Sequence, residues 1–471
     1  MTKANMRYVF SITLVATLGG LLFGYDTAVI SGTVNSLKIN FIDPRNLSEI
    51  NANSLLGLTV SSALIGCIFG GLAGGWMALT LGRRKSMIVA SILLIISAIG
   101  SGFPELLLAP ISENVTPFLN SFIIYRIIGG IGVGLASMLS PMYIAEISPP
   151  AKRGNLVSWN QFAIIFGMLV VYFVNYSISK QGNEQWLHEY GWRWMFFSET
   201  IPGVLFFILL FFVPESPRWL TMQNKEEKAL AILTKINGKQ IAQQVLEEIK
   251  ETVSGVGSSK LFSYGYLIVI VGILLSVFQQ FVGINVVLYY APEIFRNMGS
   301  GTDVSLLQTI IVGIINLTFT VIAIYTVDKY WRKPLQIIGA LGIAVSMFAL
   351  GFTFFFQNMG IAALIFMLLY VASFAMSWGP VTWVLLSEIY PNRIRGKAMA
   401  VAVAAQWISN LLISWTFPVM DKSTVLNTIF HHGFSYWIYG VMGLLAALFV
   451  WKLVPETKGK TLEQMERLWR K

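Results

Sequence analysis

The chain alternates long apolar blocks with short polar segments. Twelve blocks reach the roughly 20 mostly apolar residues that a helix needs to cross a bilayer. They lie at 9–32, 54–79, 87–108, 118–145, 156–178, 193–213, 264–292, 305–326, 334–356, 361–387, 397–420 and 434–453, and we call them spans 1 to 12. Apolar residues are continuous within each block, which excludes the alternating strands of a membrane β-barrel. The pattern predicts an all-α polytopic membrane protein with twelve transmembrane helices.

Composition and charge agree with a membrane protein. Hydrophobic residues make up 55% of the chain and charged residues 12%, which excludes intrinsic disorder, and the lone Cys67 excludes a disulfide framework. The net charge of +10 does not indicate nucleic-acid binding, because the charges lie in short clusters between spans. Of the 33 Lys and Arg residues, 26 lie on the N-terminal side of the predicted membrane and six on the other. The positive-inside rule therefore predicts that both termini are cytoplasmic.

Polar motifs recur in the same order in the two halves of the chain. "EISPPAKRG" after span 4 returns as "EIYPNRIRG" after span 10, and "PESPR" after span 6 returns as "PETKG" after span 12. Such a repeat is typical of secondary transporters whose substrate site lies between two parallel halves. We predict six-helix bundles at 1–213 and 264–456, joined by a cytoplasmic helical linker at 214–263 and followed by a tail at 457–471.

The linker and the loops carry no signal of catalysis. Residues 214–262 contain two amphipathic helical patterns, "NKEEKALAILTKI" and "IAQQVLEEIKETV". No G-x-x-x-x-G-K-[ST] phosphate loop is present, which disfavours an ATP-driven pump. The three histidines, His188, His431 and His432, lie outside the spans, so no metal site is expected within the membrane. We expect no enzymatic activity and no cofactor.

Three charged residues lie within spans, where such groups are costly and usually functional. They are Asp26 in span 1, Arg126 in span 4 and Glu199 in span 6. Two acids and one base leave one negative charge, so a proton site is expected among them. The alternative is a packed Asp26–Arg126 ion pair, with Glu199 bonded to the backbone.

Uncharged polar and aromatic side chains within the spans suggest a neutral, hydroxyl-rich ligand. Amides donate and accept hydrogen bonds, and aromatic rings can face a sugar ring. Singly, each amide is more simply an interhelical hydrogen bond and each aromatic ring part of an interfacial belt; together they favour a ligand site. Gly379 and Pro380 also predict a bendable point in span 10. The amides are Gln161, Gln279, Gln280, Asn285, Asn316 and Gln406, and the aromatic residues are Phe23, Tyr289, Tyr290, Trp383 and Trp407.

Several longer motifs resemble those of one family. "RIIGGIGVGLASMLSPMYIAEISPPAKRG", "QQFVGINVVLYYAPEIF" and "WGPVTWVLLSEIYPNRIRGKA" are similar to signatures of the sugar porter family of the major facilitator superfamily. "FSITLVATLGGLLFGYDTAVISGTV" resembles the bacterial symporters of D-xylose and protons. The resemblance implies import across a bacterial plasma membrane, with Asp26 as the protonated carboxylate and Arg126 as its partner. It also implies that the sugar is bound by Gln161, Gln279, Gln280, Asn285, Trp383 and Gln406.

The same resemblance implies a cytoplasmic cluster of ion pairs, the clasp, that holds the two halves together when the inner side is closed. We expect a monomer whose partners are lipid, protons and a monosaccharide. The clasp residues are Arg83, Arg84, Glu146, Arg153, Glu215, Arg218, Asp328, Arg332, Lys333, Glu388, Arg395 and Glu456.

Three departures from the family pattern affect the interpretation. Leu79 and Thr80 replace an acidic and a basic residue after span 2, and Trp331 replaces a glycine after span 8. Met168, on the same helix face as Gln161, replaces a glutamine of the similar xylose carriers, so the pocket differs from theirs at a residue that can affect the choice among sugars. The alternatives are an uncoupled sugar uniporter, in which an uncharged residue would stand at Asp26, and a non-transporting sugar sensor, which usually has a longer tail.

Overall fold

The computed structural model describes residues 5–106, 118–149, 152–254, 261–326 and 331–458, apart from the side chains of 153, 252–254 and 392–393. Within these residues the regular elements are all helices, which confirms the all-α class. The spans run over Met6–Val29, Glu49–Thr80, Arg83–Gly102, Leu119–Ile147, Arg153–Ser179, Trp192–Phe197 with Thr200–Leu209, Tyr266–Phe281 with Ile284–Asn297, Thr302–Thr326, Arg332–Phe355, Ile361–Met376 with Trp378–Ile389, Asn392–Asp421 and Gly433–Leu453. Short helices occupy the loops at Val34–Leu37, Glu184–Trp186 and Thr424–Phe430.

Eleven helices of the described chain are long and apolar enough to cross a membrane. Span 6 is the predicted span not among them. It consists of two short helices separated by Ser198 and Glu199, and it carries Arg193 and Glu199. The break in span 6 thus coincides with one of the charged residues that the sequence singled out.

Helix packing repeats between the halves as the duplicated motifs predict. Span 1 packs on span 5 as span 7 packs on span 11, and span 3 packs on span 4 as span 9 packs on span 10. The halves meet along two equivalent seams, span 2 against span 11 and span 5 against span 8. This arrangement leaves the inner faces of spans 1, 4, 7 and 10 available for a central site. The domain boundaries proposed at 213, 263 and 456 stay predictions.

Spans 2 and 4 approach each other more closely than side chains would allow. A Cβ added to Gly66 would collide with the carbonyl oxygen of Ile127, and one added to Gly130 would collide with that of Ala63. Glycine at these positions lets the two backbones touch. The pair therefore forms a tightly packed wall of the N-terminal half.

The break in span 10 lies two residues before Gly379 and three before Pro380, where the bendable point was predicted. The helix breaks at Ser377, whose φ and ψ are −127° and −81°, and a second helix begins at Trp378. Gly379 and Pro380 therefore lie in the first turn of that helix, where a backbone N–H has no partner within the helix. Proline is tolerated there without breaking the helix, so the expected bend at Pro380 was wrong in position.

The linker contains the two predicted amphipathic helices, at Glu226–Asn237 and Lys239–Ser254, and a third, shorter helix at Pro217–Met222. Trp219, Leu233 and Leu246 contribute to a small hydrophobic core that these helices share. The short helix begins with Ser216, whose hydroxyl accepts from the Trp219 N–H, and with Pro217 as its first residue. Six residues are too few for a hydrophobic period to be recognised.

The two halves are joined by hydrogen bonds at the end of the molecule opposite residues 5 and 458, which we call the distal end. The Thr424 N–H donates to Glu49 Oε1 at 2.6 Å, and Trp415 Nε1 donates to the Ser54 carbonyl at 3.0 Å. Each bond joins span 2 to span 11 or to the loop that follows it. The distal end is therefore closed in this structure. The opposite end is called the terminal end.

Candidate functional site

The three charged residues of the spans come together in the interior of the N-terminal half. Arg126 Nη1 donates to Asp26 Oδ1 at 2.7 Å and Nη2 donates to the Asp26 carbonyl at 3.2 Å. Glu199 faces both residues, and all three are at most 1% exposed. The guanidinium also lies 5.3 Å from the centre of the Phe196 ring, a cation–π contact. Spans 1, 4 and 6 thus each contribute one ionisable residue to a single buried cluster.

Glu199 decides between the two interpretations of this group. No donor among the described residues reaches either of its buried carboxylate oxygens or Asp26 Oδ2, and the Glu199 and Asp26 carboxyl groups lie within hydrogen-bond reach of each other. The expected ion pair is present, but the backbone bond to Glu199 in the alternative interpretation is absent there. An ionised carboxylate without a partner is very costly when buried. The arrangement therefore favours a proton held between Asp26 and Glu199.

A cluster of amides surrounds a break in span 7. The helix ends at Phe281 and restarts at Ile284, and Gly283 between them has φ of +92°, which favours glycine. Gln280 lies before the break and Asn285 after it, and Asn285 Nδ2 donates to Gln280 Oε1 at 2.6 Å. Gln280 is therefore oriented with its own NH₂ group left to donate.

Gln279 is held by the second broken helix of the C-terminal half. Its Nε2 donates to the Trp378 carbonyl at 2.9 Å and to the Gly379 carbonyl at 3.4 Å, the carbonyls of the first two residues after the break in span 10. Its Oε1 is buried without a partner among the described residues. The Gln279 side chain thus ties the two broken helices together while its oxygen stays available as an acceptor.

The remaining candidates lie around these two clusters. Gln161, Gln406, Gly379 and Trp383 are half-buried, and Asn316 and Met168 are buried. The Phe23 ring of span 1 lies 5.5 Å from the Trp407 ring of span 11, which joins the halves. Among the described residues, neither Gln161 nor Asn316 forms a hydrogen bond to span 7, so their place in one site stays a prediction.

Sequence reasoning missed Asn410, which orients Tyr289. Asn410 Nδ2 donates to the Tyr289 hydroxyl at 3.2 Å, and its Oδ1 accepts from Ser414 at 3.1 Å. A signal was present, because Asn410 lies one turn after Gln406 on span 11. The Trp378 carbonyl that holds Gln279 was also missed, and a backbone acceptor leaves no trace in the sequence.

At the terminal end, the clasp residues pair within each half. Arg83 Nη2 lies 2.7 Å from Glu146 Oε1, and in the other half Arg332 Nη2 lies 3.5 Å from Glu388 Oε1. Glu215 accepts from the Arg83 N–H at 2.9 Å. The same arrangement occurs in both halves, and each ion pair joins two residues of the same half.

The other members of the clasp bind locally or fall outside the described part of the chain. Glu215 also accepts from the Arg84 N–H, and Glu456 accepts from the backbone N–H groups of Arg332 and Lys333. Arg84 and Arg395 donate to the carbonyls of Leu210 and Tyr390. The Arg218 and Lys333 side chains form no ion pair among the described residues. The Arg153 side chain and Asp328 lie outside them.

The loop departures have mild structural effects. Gly82, after span 2, has φ of +91°, whereas Trp331, in the corresponding loop after span 8, has φ of −69° and ψ of 135°. That is extended backbone, which any residue adopts. Leu79, in the other half, uses its carbonyl to accept from Trp219 Nε1 at 2.9 Å. The two loops thus differ in backbone, and tryptophan introduces no strain.

A titratable residue lies in the closed distal end. His188 Nδ1 is 2.9 Å from the Ser36 hydroxyl and its Nε2 is 3.9 Å from Glu184. Together with Ser36 and Arg296 of span 7 it lines a small enclosed cavity between the halves. Burial and the charge of Arg296 lower the pKa of His188 below its ordinary 6.5, and Glu184 opposes them only in part. The closed distal end therefore favours neutral His188.

The chain is similar in sequence and in structure to known sugar transporters. A family model described as "Sugar (and other) transporter" matches residues 12–469. The D-xylose-proton symporter of Escherichia coli strain K12 is 62% identical over 99% of this chain and 97% of its own length. The glucose facilitated diffusion protein of Zymomonas mobilis is 41% identical over 100% and 99% of the two chains. The structure is similar to that of the xylose transporter XylE from E. coli in its inward open conformation, with a TM-score of 0.88, 60% identity and coverage of 98% and 100%.

Proposed function

This chain belongs to the sugar transporter family, and on that premise we propose that it imports D-xylose together with protons by alternating access. One observation carries the coupling: the buried Glu199 carboxyl receives no hydrogen bond from a donor among the described residues and lies within hydrogen-bond reach of Asp26, beside Arg126. Such a group holds and releases a proton as the distance between Asp26 and Arg126 changes. The name of the E. coli relative supports the choice of both xylose and the proton.

The broken helices support the sugar site. Gln280 and Asn285 lie on the two sides of the break in span 7, and Gln279 reaches from span 7 to span 10. A sugar between the halves would bond to the donor of Gln280 and to the acceptor of Gln279. Its binding energy would then act on two helices that can bend. The assignment of Gln161, Asn316, Trp383 and Gln406 to the same site rests on the family resemblance.

We further propose that the structure is the inward-facing state, with the distal end outside the cell. The hydrogen bonds of Glu49 and Ser54 close the distal end, and the solved structure that it resembles is an inward open conformation. The clasp pairs lie within each half, as expected when the terminal end is open. They would exchange partners across the halves when that end closes.

The outer surface supports a membrane location. Trp76, Ile201 and Ile338 lie along spans and are 67%, 75% and 66% exposed. Exposed large apolar side chains along a helix bundle are suited to contact with lipid. Together with the distribution of basic residues, they support a multi-pass protein of a bacterial plasma membrane with both termini in the cytoplasm.

Transport in sealed vesicles tests the proposal. D-Xylose is expected to accumulate against its gradient only when the outside is acidic, and Asp26→Asn, which mimics a permanently protonated carboxylate, should lose accumulation but retain exchange of sugar for sugar. Equilibration without accumulation in the unsubstituted protein would identify a uniporter. Binding without any uptake would identify a sensor. Accumulation by Asp26→Asn equal to that of the parent would assign the proton to Glu199 instead.

A further inference from the structure

Spans 3 and 4 of the N-terminal half carry four buried hydroxyls that no other described group satisfies. They are Ser97 and Ser101 on span 3 and Ser121 and Tyr125 on span 4. Each residue is at most 2% exposed, and none of the four oxygens has a hydrogen-bond partner among the described residues. Buried polar groups are almost always paired with protein or with ordered water. Water is therefore the expected partner of these hydroxyls.

Serines elsewhere in the spans behave differently. Ser61, Ser91 and Ser346 donate at 2.7 Å to a carbonyl three or four residues earlier in their own helix. This back-bonding is the usual way in which a helix satisfies a serine hydroxyl. Ser97 and Ser101 follow Ser91 on the same helix and do not use it. Their hydroxyls are instead available to a neighbour off the helix.

The four residues form two parallel rows that lead to the ion site. Ser97 and Ser101 are one turn apart, as are Ser121 and Tyr125, on two spans that pack against each other. A Cβ added to Gly129 would collide with Ser97 Oγ and would lie 3.5 Å from Asp26 Oδ1. One added to Gly100, between the two serines, would collide with the Tyr125 ring. The inner end of the rows thus lies beside Asp26.

The outer end of the rows reaches the distal surface. Span 3 ends at Gly102, and in the turn that follows, Glu105 Oε1 is 2.7 Å from Arg193 Nη1. Arg193 also donates to the Gly102 carbonyl at 3.3 Å. The two charged side chains are 39% and 26% exposed. A partly exposed carboxylate therefore lies beside the end of span 3, next to the outer end of the rows.

We propose that these hydroxyls, with the water that they bind, form a proton path through the interior of the N-terminal half from Glu105 to Asp26, separate from the sugar cavity. The inference rests on the proposed proton coupling. In each step a hydroxyl oxygen accepts a proton from the water on its outer side and gives its own proton to the oxygen on its inner side. One proton enters at Glu105, one arrives at the Asp26 carboxylate, and each intermediate group is unchanged.

The proton path to the distal surface does not let protons reach Asp26 without sugar transport in this state. Arg126 holds Asp26 at 2.7 Å, and a guanidinium so close opposes the arrival of a second positive charge. Protonation along the path requires that Arg126 first moves away from Asp26. The ion pair therefore acts as the gate of the path, while the distal hydrogen bonds gate the sugar.

Substitution of the serines separates proton movement from sugar movement. We expect Ser97→Ala with Ser101→Ala to slow xylose-driven proton uptake into vesicles, followed with an external pH dye, by about tenfold, which is less than the roughly 10²- to 10⁴-fold contribution of a positioned proton-transfer group. Water can replace the hydroxyl in the space that alanine leaves, so Ser97→Val, which fills that space, should slow it further. Ser91→Ala is the matched control on the same helix, and it should retain the parent rate.

Counterflow of labelled xylose, which needs no net proton movement, is the second measurement. It should stay within about twofold of the parent rate in the serine variants, because the serines do not touch the sugar. Parent rates of proton uptake in both the double variant and Ser97→Val would overturn the path, and so would an equal fall in counterflow, which indicates a structural role. Absence of proton uptake in the parent itself would instead overturn the proposed coupling, and the path with it.

Discussion

Removal of the Gln280 amide should weaken sugar binding by an amount that the structure sets. Gln280→Ala removes one donor to a sugar hydroxyl and also the acceptor of Asn285 Nδ2. Asn285 loses that partner in both the free and the bound protein, so this loss cancels from the affinity and lowers stability alone. The affinity then reports one hydroxyl left unpaired in a desolvated site. That costs about 1–3 kcal/mol, or roughly a 5-fold to 150-fold rise in Kd for xylose.

Isothermal titration calorimetry on purified protein measures this change. Gln336→Ala is the matched control, because Gln336 is a buried amide whose Nε2 donates to Thr382 at 3.0 Å and which we do not place in the site. It should lower stability without changing Kd. Repeating the titration with deoxy analogues of xylose identifies the hydroxyl that Gln280 binds. For the analogue that lacks this hydroxyl, the loss of binding free energy and the loss caused by Gln280→Ala should not add, because both remove the same hydrogen bond. A folded Gln280→Ala protein with the Kd of the parent would refute the site as drawn.

Three further predictions concern the gates and specificity. Glu388→Gln removes the charge of a carboxylate that contacts Arg332 within its own half at 3.5 Å. Glutamine can still accept that hydrogen bond, whereas the proposed ion pair across the halves needs the charge, so we expect slower active transport at nearly unchanged sugar affinity and a larger inward-facing fraction by cysteine accessibility; a parental outward fraction would contradict the clasp. Met168→Gln adds a hydrogen-bonding group, so it should shift preference among monosaccharides in competition assays without abolishing binding, and an unchanged ranking would remove Met168 from the pocket. The pKa of His188 is lowered in the closed distal end, so its contribution to closure is complete above pH 6.5 and is lost as the pH falls through 6.5 towards that lower pKa. His188→Asn should therefore flatten the acid-induced opening of the distal end between about pH 7.5 and 5, and an unchanged pH profile would exclude this role.

The sequence predicted the helices and the ion pair because both follow from strong local rules. Long apolar blocks can only be satisfied as membrane helices, and a charge within such a block needs a partner. The Asp26–Arg126 contact at 2.7 Å confirms that pairing. The identity of the substrate residues stays a prediction, because the described side chains bring together Gln280 with Asn285 and Gln279 with span 10, but not Gln161 with either.

Features that depend on the backbone could not be predicted in detail. The break in span 10 falls at Ser377 rather than at Pro380, since proline in a first turn is compatible with a helix. Gln279 was expected to face a ligand, but its nitrogen is bonded to the carbonyl of Trp378. The approach of the Glu199 carboxyl to Asp26 depends on where three helices place their side chains. In each case the deciding partner lies far away in the chain or in the main chain itself.

The break at Val282–Gly283 has a consequence for which molecules are carried. Gln280 and Asn285 stand on two helical pieces that Gly283 allows to swing apart, so a ligand that contacts both fixes the angle between them. A ligand that reaches one piece alone leaves that angle free, however tightly it is held. Transport then depends on whether a compound contacts both helical pieces as well as on how tightly it binds. Compounds that contact one piece alone would act as inhibitors, and those that contact both would be transported.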